Sequence, residues 1–212
     1  MIPSDVRAVF FDAVGTLIHP DPPAAAVYAA VARSLGSRLT ETEIAVRFRA
    51  AFAHEEGFDL ANGLRTSEER ERRRWRHIVA EVLHDVCDGE RCFAELFAHF
   101  ARPDAWRCDP HAAALLAELD RRGLVLGLAS NYDARLRSVA AGLPELRPLR
   151  HMVISSEVGW RKPAPEFFAA LGARTGLEPG AMLFVGDDPV NDYQGATAAG
   201  LRAVLIDRFA KR

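Results

Sequence analysis

The sequence predicts an α/β fold built on a parallel sheet, with an all-helical segment inserted after the first strand. From residue 109 onward, apolar strand segments alternate with helical segments, which is typical of a parallel sheet with right-handed crossovers. From residue 24 to residue 100, by contrast, the apolar residues follow helical periodicity and no convincing strand occurs. With 212 residues, 49% of them apolar, the chain can form one large domain or a core domain that carries a smaller insertion.

The first strand is predicted at residues 6–11, an apolar run that ends in the carboxylate of Asp12. Ligands of open parallel sheets bind at the carboxyl ends of the strands, so Asp12 is a candidate site residue. Gly15 follows closely and permits a turn with positive φ or a close approach of backbone to ligand. Taken alone, the pattern favours a strand end capped by a turn-forming aspartate. The functional interpretation therefore depends on the rest of the chain.

The insertion is predicted to contain helices, preceded by prolines at positions 20, 22 and 23 that break regular structure. The helices are expected at 24–35, from 40 to about 54, from 66 to about 86 and at 90–100, with a loop at 59–65. Thr40 with Glu43, and Thr66 with Glu69, match the capping-box pattern that opens a helix.

Two features of the insertion could be functional or structural. The mixed-charge run 68–74 could bind an anion, but its favourably ordered i,i+4 pairs of opposite sign favour a solvated helix face. Trp75, Phe93 and Phe97 are expected to pack in a helical core rather than to line a cofactor site.

Polar residues follow the later strands as well. Strands are predicted at 124–129, 151–155, 181–185 and 202–206, and helices at 109–122, 133–141, 165–175 and 192–199. The first three of these strands lead into Ser130-Asn131, Ser155-Ser156 and Asp187-Asp188. Parallel strands direct their carboxyl ends to one edge, so these groups can converge with Asp12 over one crevice.

Each of these polar groups also has a structural interpretation. Ser130 and Asn131 could cap a helix, and Lys162 could be a surface lysine. Asp187, Asp188 and Asp192 could serve a turn and a helix N-terminus. Acids so close in the chain repel one another, however, and a bound cation is the usual remedy. The order and polarity of the whole set are more specific than any one member.

These residues resemble the motifs of the haloacid dehalogenase (HAD) superfamily of hydrolases, over nearly the whole chain. The motifs are Asp12-Ala-Val-Gly-Thr16, Ser130-Asn131, Lys162 within Gly159-Trp-Arg-Lys-Pro-Ala-Pro-Glu-Phe-Phe168, and Gly186-Asp-Asp-Pro-Val-Asn-Asp192. The resemblance implies a Rossmann-like core with strand order 5-4-1-2-3, formed by residues 1–19 and 104–212. Residues 20–103 would be a helical cap domain inserted after the first motif. The phrases at 159–168 and 192–195 are most similar to an HAD-like hydrolase branch of animals and bacteria.

The resemblance also implies roles for individual residues. Asp12 would be the nucleophile and would form a covalent aspartyl intermediate. Ser130 and the backbone N–H groups of Ala13 and Asn131 would hold the oxygens of the transferred group. Lys162 would neutralise Asp12 and the transferring charge.

The cofactor implied by the resemblance is Mg²⁺. Its ligands would be Asp12, the backbone carbonyl of Val14 and Asp187. Asp188 or Asp192 would act directly or through water.

Val14 departs from the usual pattern. Phosphatases of this superfamily place at that position a second Asp, which protonates the leaving oxygen and then activates water. Valine can do neither, so a loss of about 10²–10⁴-fold in rate is expected. The 2-haloacid dehalogenases have tyrosine there and are metal-free, so an acid at Asp187 argues against that class. The phosphonatases have alanine there but use a lysine of the cap. The chain's lysines, Lys162 and Lys211, both lie outside residues 20–105, which argues against that class as well.

The leading hypothesis is a Mg²⁺-dependent phosphatase that acts on a small phosphorylated molecule and is weakened by Val14. The alternative is a catalytically impaired binding protein for a phosphorylated ligand or a protein partner. A less favoured third hypothesis is a dehalogenase-like hydrolase that attacks carbon.

Composition narrows the partners. The net charge of −2 disfavours nucleic acid and anionic membranes, and no apolar run approaches the roughly 20 residues that span a bilayer. Residues 1–5 lack the basic and apolar regions of a signal peptide. The three cysteines have no ligand-like spacing, so free thiols in a reducing cytoplasm are expected and a zinc site is not.

Overall fold

A five-stranded parallel sheet forms the centre of the molecule, in a computed structural model that describes residues 2–206. The strands are β1 (Ala8–Phe11), β2 (Ile18–Pro20), β3 (Trp106–Cys108), β4 (Val125–Ser130), β5 (His151–Ile154), β6 (Met182–Gly186) and β7 (Arg202–Leu205). The order across the large sheet is β5-β4-β1-β6-β7, and every neighbouring pair is parallel. Since β2 and β3 form a separate ribbon, the sheet's own strands counted along the chain read 5-4-1-2-3 from one edge. The predicted α/β fold class is confirmed.

Residues 2–206 form nine α-helices, of which those after β3 pack with the sheet and cover both of its faces. They are α1 (Ala24–Ser34), α2 (Glu41–Ala61), α3 (Glu68–Val82), α4 (Gly89–His99), α5 (Ala112–Arg121), α6 (Arg135–Ala141), α7 (Ser155–Val158), α8 (Pro165–Thr175) and α9 (Gly195–Ala198). Side chains alternate along β1, so Val9 and Phe11 join the core formed with α5 and α6. Ala8 and Phe10 join the core formed with α8 and α9. Two buried faces explain why β1 is a continuous apolar run.

Gly127, inside β4, is explained by its neighbour across the sheet. It is paired in register with Phe10 of β1. A Cβ atom at residue 127 would lie 2.2 Å from a ring carbon of Phe10, so a larger residue would displace that ring from the core. The glycine lets the central strand carry a full aromatic ring.

The helices α1 to α4 pack around a core of their own. Buried members include Tyr28, Ile44, Ile78, Phe93 and Leu96. The Thr40–Glu43 capping box at the start of α2 is present in both directions, as predicted. These helices lie between β2 and β3 in the chain, over the carboxyl ends of the sheet strands, where their residues share a cavity with Asp12.

The antiparallel ribbon β2–β3 was not predicted. Prolines around position 20 were expected to break regular structure, but Pro20 pairs with Trp106 in this ribbon. A proline is tolerated there because the ribbon has only two strands, and both are edges. The ribbon joins the two chain segments that lead into and out of the four helices.

Several predicted helix bounds need correction. The helix expected to end near residue 54 continues to Ala61, because its polar residues Glu55 and Asp59 are buried against arginines rather than solvated. The expected Thr66–Glu69 box is replaced by a Ser67 cap, while the Thr66 hydroxyl donates to Glu71. That helix ends at Val82 rather than near residue 86.

The later segments also differ in detail. The helix expected from residue 109 begins at Ala112, and Asp109 accepts instead from the N–H of His111. The helix expected at 192–199 is a π-helix, Pro189–Gln194, followed by α9. The predicted core extends to residue 212, and residues 207–212, including Lys211, lie outside the described part of the chain.

Two expectations from composition can be compared directly with the structure. Cys87, Cys92 and Cys108 are free thiols, as expected. Within residues 2–206, no helix combines the length and the apolar character needed to cross a bilayer.

Candidate active site

Asp12 lies at the carboxyl end of β1, the central strand, and its carboxylate is buried. Oδ1 of Asp12 accepts a hydrogen bond of 2.9 Å from the hydroxyl of Ser130, at the end of β4. It also accepts one of 2.6 Å from Nζ of Lys162. The convergence of strand ends predicted from the sequence therefore brings Asp12 and Ser130 together, and Lys162 reaches them from the loop before α8. The hydroxyls of Ser155 and Ser156, by contrast, donate to the Tyr132 carbonyl and to Glu68.

Lys162 lies between two carboxylates. Its Nζ is 2.6 Å from Oδ1 of Asp12 and 2.6 Å from Oδ1 of Asp192, and it also donates to the carbonyl of Ala129. The lysine is only 2% exposed, so the surface interpretation of its sequence position is wrong. Burial by itself lowers the pKa of Lys162, but Asp12 and Asp192 outweigh that effect and hold the pKa above its ordinary value.

Asn131 holds the backbone of Lys162. Its Nδ2 donates to the Lys162 carbonyl at 3.0 Å, and its Oδ1 accepts from the Lys162 N–H at 2.7 Å. This two-way contact fixes the segment that carries the lysine. Among residues 2–206, no acceptor is hydrogen-bonded to the N–H of Ala13 or of Asn131, so both remain available to a ligand.

The ionisation of Asp12 reflects competing effects. Burial raises the pKa of Asp12, Lys162 opposes it, and the charge of Asp192 adds to it, with a net value of about 6. The carboxylate form therefore prevails at neutral pH. An ionised carboxylate with one oxygen held by Lys162 and Ser130 is suited to nucleophilic attack.

Asp12, Asp187 and Asp192 each place one carboxylate oxygen within 4.8 Å of the others. Carboxylate oxygens are the ligands that Mg²⁺ prefers, so these three residues could hold a divalent cation. Asp187 is positioned by the hydroxyl of Thr16, which donates to it at 3.1 Å. Val14 lines the same cavity as the three acids.

Asp188 has a different local role from its neighbour. Its Oδ1 accepts from the N–H groups of Val190 and Asn191, both at 2.8 Å, and so caps the turn that follows β6. The described cluster that could hold a metal does not include it. Its own N–H donates to Asp192 at 3.0 Å, so its backbone orients an acid of the cluster.

Two glycines make room for the acidic cluster. Gly15 has φ of +97°, and a Cβ at this residue would lie 2.3 Å from Oδ2 of Asp187. A Cβ at Gly186 would lie 2.1 Å from Oδ2 of Asp192. Both distances are shorter than the non-bonded contacts that Cβ atoms make, so the acids approach the backbone only because side chains are missing there.

A cavity of about 460 Å³ opens above Asp12, between the sheet edge and the helices α1 to α3. Aromatic rings from both parts of the chain line much of it. Trp75 packs against the helical core, as predicted, and also lines this cavity, which the sequence did not indicate. The helical periodicity of residues 24–100 marks these rings as apolar without showing which of them face a ligand.

A network of buried ion pairs joins the helices to the core beside this cavity. Arg161, 3% exposed, contacts Glu71, and its guanidinium lies 3.2 Å from Glu56 and 3.4 Å from Asp59. Arg74, 1% exposed, contacts Asp59 and lies 2.6 Å from Glu56. The expected solvated face of the run 68–74 is therefore wrong for Glu71 and Arg74, both of which are buried.

Only one of the two ion pairs predicted within the charged run 68–74 forms. The predicted pair Glu69–Arg73 forms at 3.6 Å on the surface. The pair Glu68–Arg72 does not, because Glu68 accepts from the Ala134 N–H and the Ser156 hydroxyl. Arg72 lies over the ring of Phe97 instead. Contacts with the core therefore replace one of the two expected helical pairs.

The fold and this arrangement at the strand ends agree with comparisons to known proteins. Residues 6–200 match the haloacid dehalogenase-like hydrolases, so the chain belongs to that family of hydrolases.

Individual relatives differ in their described activities. The chain is 28% identical over 210 residues to haloacid dehalogenase-like hydrolase domain-containing protein 3 of Homo sapiens, covering 95% of this chain and 82% of that one. It is 30% identical over 204 residues to the phosphoglycolate phosphatase of Rhodospirillum rubrum, covering 94% and 79%. Among solved structures, an L-2-haloacid dehalogenase of Xanthobacter autotrophicus aligns with a TM-score of 0.75, at 21% identity and over 97% and 79% of the two chains. At that identity the likeness concerns the fold alone.

Proposed function

We propose that this protein is a Mg²⁺-dependent phosphatase that acts on a small phosphorylated molecule through an aspartyl phosphate on Asp12. One observation carries the proposal: Asp12 is held by Lys162 and Ser130 beside two further carboxylates that can share a cation with it. An anionic nucleophile approaches a phosphate only where cations screen both. The lysine supplies one such charge, and the acidic cluster is suited to hold the other.

The proposed reaction has two displacements. In the first, an oxygen of Asp12 attacks phosphorus and the bond from phosphorus to the leaving oxygen breaks. In the second, water attacks the phosphorus of the aspartyl phosphate and loses a proton to the solvent. The bond to Asp12 breaks, its electron pair returns to the carboxylate, and inorganic phosphate leaves. Ser130 and the N–H groups of Ala13 and Asn131 would hold the phosphoryl oxygens in both steps.

Mg²⁺ held by Asp12, Asp187, Asp192 and the Val14 carbonyl would neutralise the phosphate when bound. Asp188 would support this site through the turn that it caps and through its N–H contact with Asp192. A parallel sheet, an aspartate nucleophile and a helical cap also occur in dehalogenases of the superfamily. The acid at Asp187 favours metal-dependent phosphoryl transfer over metal-free attack on carbon.

Val14 favours a second candidate function, a binding protein for a phosphorylated ligand. The position that usually carries a general acid bears an apolar side chain on the cavity wall. In that case the ligand and Mg²⁺ would bind without turnover.

One experiment separates these functions. Phosphate release from acetyl phosphate and p-nitrophenyl phosphate is measured with Mg²⁺ and with EDTA, for the wild type and for Asp12→Asn. Metal-dependent release that is lost in Asp12→Asn supports the phosphatase. Absence of release, together with Mg²⁺-dependent binding of phosphate, supports the binding protein. Chloride release from 2-chloropropionate in EDTA would contradict both and favour a dehalogenase.

A further inference from the structure

The cavity above Asp12 is bounded by a continuous series of aromatic contacts. On the cap side, Tyr28 meets Phe48 edge-on with 5.4 Å between ring centroids. Phe48 in turn lies 6.1 Å from Phe52 and 6.4 Å from Trp75. All four rings line the cavity. An apolar wall of this kind gains free energy when it covers an apolar ligand.

The series continues onto the core. Tyr28 lies 6.2 Å from Phe100, which lies 5.9 Å from Trp106, and Trp106 lies 6.3 Å from Tyr132. These rings also line the cavity, which reaches Asp12 at its base. A molecule bonded to phosphorus at Asp12 would therefore be surrounded by aromatic surface contributed by both parts of the chain.

The cations on the wall are already neutralised. Arg135 forms a 2.7 Å ion pair with Asp133, while Arg74 and Arg161 are both paired with Glu56. Each of these three guanidinium groups is therefore committed to a carboxylate of the protein. A second anionic group on the substrate would have to displace one of these pairs, which are largely buried.

The polar groups that remain available on the wall include two uncharged hydroxyls. The hydroxyls of Tyr28 and Tyr132 form no hydrogen bond with another residue in the described part of the chain, and both side chains are at least nine-tenths buried. Burial raises the pKa of both phenols, so they remain neutral donors near neutral pH. Each hydroxyl can donate to or accept from a neutral polar substituent of a ligand, and neither supplies a positive charge that would offset the desolvation of a second anionic group.

The base of the cavity independently restricts the leaving group of the substrate. Val14 lies on the wall beside Asp12 and cannot donate a proton to a departing oxygen. Alkoxide leaving groups need that proton, whereas a phenolate can depart without it because its negative charge is delocalised. The apolar wall and the absence of an acid at residue 14 thus select for the same type of leaving group.

We propose that the substrates are monophosphate esters of uncharged aromatic alcohols of the phenol type, larger than a single ring, with at most a neutral polar substituent. The inference rests on the proposed phosphatase function. In the reaction, Asp12 attacks phosphorus, the P–O bond to the aryl oxygen breaks, and the aryloxide departs with the bonding pair and takes a proton from water. A substrate such as phosphoglycolate, whose second group is a carboxylate, is excluded from this class.

The test compares phenyl phosphate, 1-naphthyl phosphate and 4-carboxyphenyl phosphate, whose leaving groups are all aryloxides. We expect kcat/KM to rise about tenfold from phenyl to 1-naphthyl phosphate because of the additional apolar area, and to fall about tenfold or more with the carboxylate. Phe48→Ala is expected to reduce the naphthyl-to-phenyl ratio several-fold. Phe58→Leu is the matched control because Phe58 is on the same helix but is 51% exposed and outside the cavity.

The outcomes distinguish this inference from the proposed function. Acetyl phosphate reports phosphatase chemistry without an aromatic leaving group. If Asp12-dependent release from acetyl phosphate occurs but the naphthyl-to-phenyl ratio is one or less, the phosphatase stands and the aromatic substrate class is wrong. If no phosphate is released from any compound, the phosphatase function is wrong. The affinities of the same three esters for Asp12→Asn are then measured by calorimetry in place of kcat/KM. The same tenfold order in affinity then supports aromatic selection, and equal affinities overturn it.

Discussion

Nζ of Lys162 lies 2.6 Å from Asp12 and 2.6 Å from Asp192, so one buried ammonium group joins two buried carboxylates. Removing one partner of a buried ion pair costs more than the pair contributes, because the other charge remains buried without compensation. Loss of the lysine would affect the charge of Asp12, the proposed nucleophile, and the position of Asp192, a candidate metal ligand.

Lys162→Met is expected to reduce phosphatase kcat by at least about 10²-fold, the scale observed when a group that stabilises the transition-state charge is removed. Steady-state hydrolysis of p-nitrophenyl phosphate measures it. The variant should also be destabilised, and Mg²⁺ should restore part of its Tm because the cation compensates the same carboxylates. Arg137→Met, which removes a cation that is half exposed and paired with Glu157, is the control. Equal kcat in Lys162→Met and in this control would show that the lysine does not take part in the reaction.

Asp187→Asn is expected to weaken Mg²⁺ binding by at least about tenfold, because it removes an anionic oxygen from the cluster of three acids. Titration calorimetry or the Mg²⁺-dependent rise in Tm measures this change. Asp188→Asn is the adjacent control, since asparagine retains the cap oxygen and residue 188 lies outside the cluster. A larger loss of Mg²⁺ affinity in Asp188→Asn than in Asp187→Asn would reverse the two assignments.

Val14→Asp introduces a carboxylate on the cavity wall beside Asp12. Hydrolysis of an alkyl phosphate is expected to rise by about 10²-fold, because general acid catalysis typically contributes 10²–10⁴-fold. Aryl phosphates should gain much less, since their leaving groups need no proton. Val14→Asn, whose side chain is similar in shape to aspartate but has no carboxylic acid to donate a proton, should give no such gain. Equal gains for alkyl and aryl phosphates would contradict this explanation.

Glu71 links the pH dependence of stability to the ion-pair network. Burial by itself raises the pKa of Glu71, but Arg161, Thr66 and Arg74 outweigh it and hold the pKa below its ordinary value. A depressed carboxylate pKa stabilises the fold above the unfolded pKa of about 4.3, and the contribution is lost as the pH falls through the folded pKa. The unfolding free energy of the wild type should therefore decrease as the pH falls below the unfolded pKa of about 4.3.

Glu71→Gln should lose about 1.5–3 kcal/mol of unfolding free energy at neutral pH, the scale of a hydrogen bond to a charged group, since Arg161 keeps Glu56 and Asp59 as counter-charges. The unfolding free energy of Glu71→Gln should also change less between neutral and acidic pH than that of the wild type. Urea unfolding at neutral and acidic pH measures both effects. Glu69→Gln removes an exposed carboxylate from the same helix and should change the free energy by less than about 1 kcal/mol. Similar losses in the two variants would show that the network adds no specific stability.

The residues at the strand ends could be predicted because the information is local. An apolar run that ends in Asp12 or Ser130 encodes both a buried strand and the edge at which it stops. The parallel arrangement then places those ends together without further information. The same reasoning could not separate Asp187 from Asp188, because their roles depend on which carboxylate turns toward the N–H of Val190.

The ion-pair network could not be predicted for a different reason. Arg161 and Glu71 are 90 residues apart, and nothing near either residue marks the other as its partner. Helical spacing made Glu71 and Arg74 look like members of an exposed face. Glu71 is buried against Arg161, and Arg74 against Glu56 and Asp59 of α2. Both are tertiary contacts, which periodicity along one helix does not contain.

Arg161 and Lys162 are consecutive, yet the first side chain contacts the helices of the insertion and the second contacts Asp12. The backbone around them is also held from both sides, since the Arg161 N–H donates to Leu64 at 2.9 Å and Asn131 holds Lys162. Replacing residues 20–103 with the corresponding segment of another family member would therefore also remove the ion pairs of Arg161. A replacement segment without acidic residues matching Glu56, Asp59 and Glu71 would leave the buried guanidinium of Arg161 without a counter-charge, one residue from Lys162. A change in either the helical insertion or the loop around Arg161 therefore alters the surroundings of Asp12 as well.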